Sequence, residues 1–216
     1  MPDQIIPSPL TPALVSRALW RAPFDVKRAH AIMAPRPRTS IRPASLSGQP
    51  RIGAVMIVLF TKSRCTHMVM IRRQDHLHYH PGQISFPGGR CHHHESLSNA
   101  ALRETWEEVG IPSSSLTVLG RLAPIYVAPS DFIVHPFVAW LRGRLRVQPD
   151  PSEVADIFSL AVTDFAEPSS RSSEMRTING ISVTVPFFFI HEHKIWGATA
   201  MMICELLERL RLGYSA

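Results

Sequence analysis

The sequence predicts an α/β (α+β) sandwich. Short apolar, β-branched runs recur between polar or glycine- and proline-bearing breaks. Two stretches carry apolar residues at helical spacing with stop signals behind them. Strands and helices are mixed along the chain rather than segregated.

The elements follow in order. Residues 1–50 hold nine prolines, and "APRPRTSIRPASLSGQP" reads as an extended arm. Leu14, Val15, Ala18 and Leu19 have helical spacing and predict a short helix before that arm. The expected organisation is a proline-rich N-terminal helix and arm over 1–50 and a compact domain over 51–216. "IGAVMIVLF" (52–60) and "HMVMIRR" (67–73), separated by a polar turn, predict a strand pair. "QISF" (83–86) predicts a short strand that ends at the Pro87-Gly88-Gly89 loop. A helix capped by Ser96 or Ser98 should run to Val109, with Gly110 beyond its end and Pro112 closing it. "LTVLGRLAPIYV", "FIVHPFVAWLRGRLRV" and "ISVTVPFFFI" read as strands, and "SEVADIFSLAV" as a brief helix. Met201, Cys204, Leu207 and Leu210 place a C-terminal helix over 198–213, ending at Gly213.

Composition narrows the function classes. Of 216 residues, 45% are apolar and 19% charged, which is a globular composition with ample core. A formal net charge of +6 favours anionic partners, although a solvated positive surface explains the same excess. The N-terminal arm lacks interleaved aromatics, so no nucleic-acid partner is expected. Cys65, Cys91 and Cys204 form no CxxC pattern, which argues against a disulfide framework and a cysteine zinc site. Reduced thiols suit a cytoplasmic location. No apolar run reaches bilayer length, so no membrane partner is expected. The N-terminus lacks the order of a secretory signal. Residues 11–30 are poor in acid and carry four basic residues, as a transit peptide does, but an ordinary helix and linker is the preferred reading. Nothing in the residues specifies an oligomeric state.

The sharpest local feature is acidic. On a helix, Glu104 and Glu108 lie one above the other with Glu107 beside them. Like charges at this spacing repel, and the nearest cation is Arg103, at i, i+4 from Glu107. A divalent cation turns that repulsion into a binding site, and hard oxygen ligands suit Mg2+ or Mn2+. Three isolated glutamates would read first as a solvated face. The surrounding spacing changes the balance. From Gly89 the chain runs five residues to Glu95, seven more to Arg103, then Glu104-Thr105-Trp106-Glu107-Glu108-Val109-Gly110-Ile111. This resembles the signature of the Nudix hydrolases, Gly-x5-Glu-x7-Arg-Glu-U-x-Glu-Glu-x-Gly-U with U a bulky aliphatic. Every fixed polar or glycine position matches, and Thr105 is the one departure.

The resemblance implies a Nudix-type α/β/α sandwich with a mixed central sheet and a C-terminal helix. It also implies a metal site in a loop-helix-loop and hydrolysis of a nucleoside diphosphate linked to another group. Carried over by position, Glu104 and Glu108 are metal ligands with Glu107 close behind. Glu95 and Arg103 brace the loop against the helix, and Gly89 and Gly110 complete the signature.

"IRRQDHLHYHPGQISFPGG" (71–89) is further similar to a motif of the coenzyme A pyrophosphatase branch, matching at Arg73, Leu77, His80, Gly82, Gln83 and Phe86 to Gly89. Likeness continues downstream, over about residues 51–212. His78 stands where that branch has arginine, Asp131 where it has glycine, and "RCHHHE" replaces an acid-bearing loop. The implied reaction cleaves coenzyme A or acyl-coenzyme A to 3′,5′-ADP and (acyl-)4′-phosphopantetheine. The departures keep a second substrate class open, another nucleoside diphosphate such as ADP-ribose or NADH. A catalytically silent nucleotide-binding module is the third reading, against which the intact glutamates argue.

In the expected mechanism water attacks one phosphorus, the cation polarises the phosphoryl oxygens, and Glu104, Glu108 or Glu153 takes the proton. Arg72, Arg73, His80 and Gln83 are candidates for holding the substrate. His76, His78 and His80 alternate and would share a face in an extended strand. His92, His93 and His94 read as a solvated loop rather than a zinc site. Phe86 and Trp106 are expected in the core.

Overall fold

The computed structural model describes residues 6, 8–37, 42, 46–178 and 180–214. Two helices come first, α1 (Pro12–Trp20) and α2 (Val26–Ala31). The strands β1 (Arg51–Lys62), β2 (Cys65–Arg73), β3 (Ile84–Ser85) and β4 (Gly88–Arg90) precede α3 (Leu97–Val109). Then come β5 (Leu116–Arg121), β6 (Ile125–Val127), β7 (Phe132–Leu141) and β8 (Val154–Ala161). A meander of β9 (Arg171–Ile178), β10 (Ile181–Ile190) and β11 (His193–Trp196) leads into α4 (Gly197–Tyr214).

The central sheet runs β3-β2-β1-β7-β5, with β4 also on β1, β6 on β7 and β8 on β2. It is mixed: β1 and β7 are parallel over Arg51–Leu59, and the other pairs are antiparallel. The fork on β1 positions the site. One edge of β1 pairs with β4 at Gly53–Val55 and with β2 from Leu59 onward. At the fork the Met56 amide donates to the Pro87 carbonyl at 2.9 Å, so the glycine loop is stitched to the middle of the sheet.

Side chains alternate across β1 as the pleat requires. Ala54, Met56, Val58 and Phe60 face one core with Ala100, Ala101 and Val109 of α3. Ile57 and Leu59 face the other core, with Val15 and Leu19 of α1 and Ile203, Leu206 and Leu210 of α4. The sheet therefore lies between α3 on one side and α1 with α4 on the other, the sandwich the sequence predicts. Phe188 and Ile195 of the meander join the α4 side, where Phe188 meets Phe165 edge-on at 5.1 Å.

Four sequence expectations change. "SEVADIFSLAV" is strand β8, because Val154–Ala161 pairs along β2 from Arg73 to His67; the ladder overrides the local helical pattern. Gly88–Arg90 is itself a strand on β1, not only a loop. Residues 74–83 turn rather than extend, with His80 at φ 58° and Gly82 at φ 65°, so His76, His78 and His80 do not share a strand face. Trp106 is 55% exposed, whereas Phe86 is buried as expected.

The segment before Arg51 contributes to the packed body. Ile6, Leu10, Val15, Leu19 and Met33 lie in the α4-side core. The Leu10 amide donates to Thr66 Oγ1 at 2.8 Å, and Arg36 pairs with Thr184 through backbone bonds of 2.9 and 2.8 Å. Much of the expected extended arm, residues 38–41 and 43–45, lies outside the described residues.

Candidate active site

Helix α3 is cut to length by its ends. Ser96 Oγ accepts the Asn99 amide at 3.2 Å, and Gly110, at φ 72°, closes the C-terminus. Thr105, the departure from the aliphatic position, is fully buried and donates its hydroxyl to the Ala101 carbonyl at 2.6 Å. That bond satisfies the one polar atom an aliphatic residue would not bring.

Arg103 is the hub of the helix's outer edge. Its Nε and Nη2 donate to Glu95 at 3.0 Å each, and Nη2 also donates to the Arg90 carbonyl at 3.0 Å. Its Nη1 reaches Glu104 and Glu107, both at 2.8 Å. The Arg103 guanidinium holds the Glu95 carboxyl below its ordinary range. The repulsion foreseen between Glu104 and Glu107 is thus answered in part by a guanidinium.

Glu104 and Glu108 turn inward to the glycine loop, while Glu107 is half-exposed. Glu108 Oε2 accepts the Gly88 amide at 2.7 Å, and Glu108 is only 2% exposed. Its Oε1 is buried without a hydrogen bond. Arg73 Nη1 stands 3.5 Å from that oxygen, close enough to be an ion pair but beyond hydrogen-bond geometry. Burial pushes the Glu108 carboxyl up to about 8. Burial also raises Glu104, against the pull of Arg103. Glu153, exposed on the turn before β8, is close enough that its charge raises both.

This is the fit expected for a hard divalent cation: a deeply buried carboxylate oxygen without a hydrogen bond beside a second inward carboxylate. Among the described residues no three acidic, histidine or cysteine side chains converge on one point as they stand. Arg103 stands between Glu104 and Glu107, and the Gly88 amide holds Glu108. The loop is cut to the carboxylates. A methyl group on Gly89 would sit 2.5–2.7 Å from the Glu104 carboxyl. Gly89→Ala is therefore expected to displace Glu104 and lower kcat about 10- to 100-fold, with a far-ultraviolet spectrum unchanged. Activity within a factor of two of the parent would rule out the close fit.

Of the other sequence-named residues, Arg73 reaches this centre directly. Arg73 ends β2 and faces Glu108, and its amide donates to the Gln83 carbonyl at 3.0 Å. Arg72 meets Asp75 at 3.4 Å on an exposed edge. His80 Nε2 lies 3.3 Å from Ser130 Oγ, and burial lowers the His80 imidazole. His92, His93 and His94 are exposed.

Sequence reasoning noted Asp131 only as a departure from glycine. The structure gives the reason for glycine and for aspartate: Asp131 sits at φ 50°, ψ 49°, a left-handed conformation that aspartate tolerates better than most residues. Arg42 grips it with two bonds, Nε to Oδ1 at 2.9 Å and Nη2 to Oδ2 at 3.0 Å, and Tyr126 adds its hydroxyl at 3.0 Å. A short acidic residue with an arginine in the N-terminal segment was the available signal.

The likeness to known proteins agrees with this geometry. The NUDIX domain family matches residues 50–178. An uncharacterised Nudix hydrolase, NudL, of Photorhabdus laumondii is 34% identical over 171 residues, covering 79% of this chain and 90% of that protein. NudL of Yersinia enterocolitica is 33% identical over 172 residues, covering 79% and 87%. A MutT/nudix family protein from Enterococcus faecalis shares the fold with a TM-score of 0.52 at 14% identity, over 78% of this chain and 65% of that one. The glycine loop, the inward glutamates and these relatives together mean that the chain belongs to the Nudix hydrolase family.

Proposed function

We propose that the chain hydrolyses the pyrophosphate bond of coenzyme A or acyl-coenzyme A, giving 3′,5′-ADP and (acyl-)4′-phosphopantetheine. The observation that carries hydrolysis is Glu108, buried against the glycine loop with one carboxylate oxygen that has no hydrogen bond. Glu104 and Glu108, joined by Glu107, would hold Mg2+ or Mn2+. When bound, that cation polarises the phosphoryl oxygens and offsets charge that builds during the reaction. The chain's own residues do the rest. Arg72 and Arg73 meet phosphate charge, and His80 and Gln83 shape the loop beside it. One of Glu104, Glu108 and Glu153 takes the proton of the attacking water.

The coenzyme A reading is supported by the motif of residues 71–89, whose Arg73 faces Glu108 and takes its amide partner from the Gln83 carbonyl. Its substitutions at 78, 131 and 90–94 favour the second reading, a different nucleoside diphosphate such as ADP-ribose or NADH. Free Cys65, Cys91 and Cys204 support a cytoplasmic setting. No described helix is long and apolar enough to cross a membrane.

The test is a substrate panel of coenzyme A, acetyl-coenzyme A, ADP-ribose, NADH and capped RNA with Mg2+ or Mn2+. Cleavage of the first two at least about tenfold faster in kcat/KM than the rest supports the proposal. The reverse order replaces it with the second reading. Glu104→Gln, Glu108→Gln and Glu153→Gln compared across pH at saturating cation separate the proton acceptor from the residues that hold the cation, because loss of the acceptor removes the acid-side fall of kcat, where the acceptor is protonated.

A further inference from the structure

We propose that Tyr79, backed by Arg51 and Phe132, is the stacking plate that receives the purine of the substrate. The inference rests on the reading of the 72–83 loop and the glycine loop as the substrate face. Arg51 opens β1, directly beside Phe132 in the parallel ladder. Its guanidinium carbon lies 4.4 Å from the Phe132 ring centre and 5.0 Å from that of Tyr79. It also donates to the Ser130 carbonyl, which anchors the guanidinium beside the two rings. One guanidinium thus contacts two aromatic rings.

The plate adjoins the catalytic loop. A methyl on Gly53 would touch the Gly89 carbonyl at 2.8 Å and Phe132 at 3.1 Å, so only one small residue separates the plate from the loop that cradles Glu104. The neighbour of Tyr79, His80, is anchored at Ser130, whose carbonyl holds Arg51.

Tyr79 is 40% exposed, although it is large and aromatic. Arg51 takes one face, and His78 meets the ring at a steep angle of 79° with centres 4.5 Å apart. Exposed surface remains on Tyr79 beyond these two contacts. A purine offers a flat π-face to such a ring. The guanidinium behind the ring makes the plate electropositive, which suits an electron-rich base carrying phosphates. An adenine nucleotide stacked here would keep its diphosphate on the side of the glycine loop and Arg73.

The test is calorimetric titration of the full chain and of Tyr79→Phe, Tyr79→Leu and Tyr79→Ala with 3′,5′-ADP, ADP-ribose, 4′-phosphopantetheine and inorganic pyrophosphate. Stacking predicts that Tyr79→Phe stays within about threefold of the parent, whereas Tyr79→Leu and Tyr79→Ala weaken the two purine ligands about 10- to 100-fold. Pyrophosphate and 4′-phosphopantetheine bind unchanged, and KM for the hydrolysed substrate rises while kcat holds. Tyr79→Leu retaining purine affinity would overturn the plate. So would an equal loss for all four ligands with a lowered Tm, since Tyr79 would then only cover Arg51. If the parent binds ADP-ribose and not 3′,5′-ADP, with the same dependence on Tyr79, the coenzyme A reading falls and the plate stands.

Discussion

Glu108→Gln is expected to lower kcat by about 10²- to 10⁴-fold while leaving the fold as stable as before or more so. The reason is that Glu108 is costly to the folded chain. It is 2% exposed, and one of its oxygens has no hydrogen bond. Burial lifts its carboxyl to about 8. A folded-state value above the ordinary carboxylate value means that this group's contribution to stability is full below about pH 4.5 and is lost as pH rises toward 8. In that window the unfolded chain has released a proton that the folded chain still binds. Glutamine keeps an acceptor for the Gly88 amide and removes the charge that burial opposes. Without added cation, the parent's Tm should therefore fall between pH 5 and pH 8 more steeply than that of the variant. Mg2+ or Mn2+ should raise the parent's Tm, and more so at pH 8, because a cation stabilises the ionised carboxylate. The variant should gain far less. A Glu108→Gln protein with more than a tenth of parental kcat, or with a cation-induced rise in Tm equal to the parent's, would remove Glu108 from the centre of the site.

Helix α3 was legible in the residues and much of its setting was not. Ser96 and Gly110 mark the ends of α3 because capping is local chemistry, decided within four residues of each end. The apolar, β-branched run "IGAVMIVLF" is likewise local, and β1 follows it. The assignment of β8 needed β2 as a partner, and no local period reveals that partner. The proline-rich start reads as an arm on composition. Yet Ile6, Leu10 and Val15 have somewhere to go only once α4 lies across the sheet. In the site, the fixed spacing from Gly89 to Gly110 marks a helix and the loop before it, within one contiguous stretch. The Arg51, Tyr79 and Phe132 contacts and the Arg42–Asp131 grip join residues far apart in the chain, through strand register and a left-handed turn. Glu205 was invisible for a related reason. In "CELLERL" it has the look of an ordinary charged helix residue, and its partners lie on other elements.

Removing Glu205 is expected to be the most destabilising single change outside the hydrophobic core. Glu205 is completely buried on α4. Its carboxylate accepts from His30 Nε2 at 2.7 Å, Arg209 Nε at 2.9 Å and the Ala123 amide at 3.1 and 3.2 Å. Burial pushes this carboxyl upward, but His30, Arg209 and the Ala123 amide together outweigh it and hold the group below its ordinary value. The network ties three parts of the chain to α4. His30 brings α2, Ala123 brings the turn after β5, and Arg209 also donates to the Leu19 carbonyl at 3.0 Å and lies 4.0 Å over the Phe24 ring. Glu205→Ala strands a buried guanidinium and an imidazole, a loss of about 3–5 kcal/mol. At about 2–4 °C per kcal/mol for a chain of this size, Tm should fall by roughly 6–20 °C. Glu205→Gln, which keeps an acceptor for the Ala123 amide, should cost less. Because the folded carboxyl sits below its ordinary value, its stabilisation is present above that value and lost as pH falls through the folded one. The parent should therefore lose stability on acidification that Glu205→Ala has already lost. Limited proteolysis of the variant should cut first between α1 and β1, since the clasp holding that segment is gone. A Tm within about 2 °C of the parent, or proteolysis that begins elsewhere, would mean that apolar packing of α1 on α4 alone holds the N-terminal segment in place.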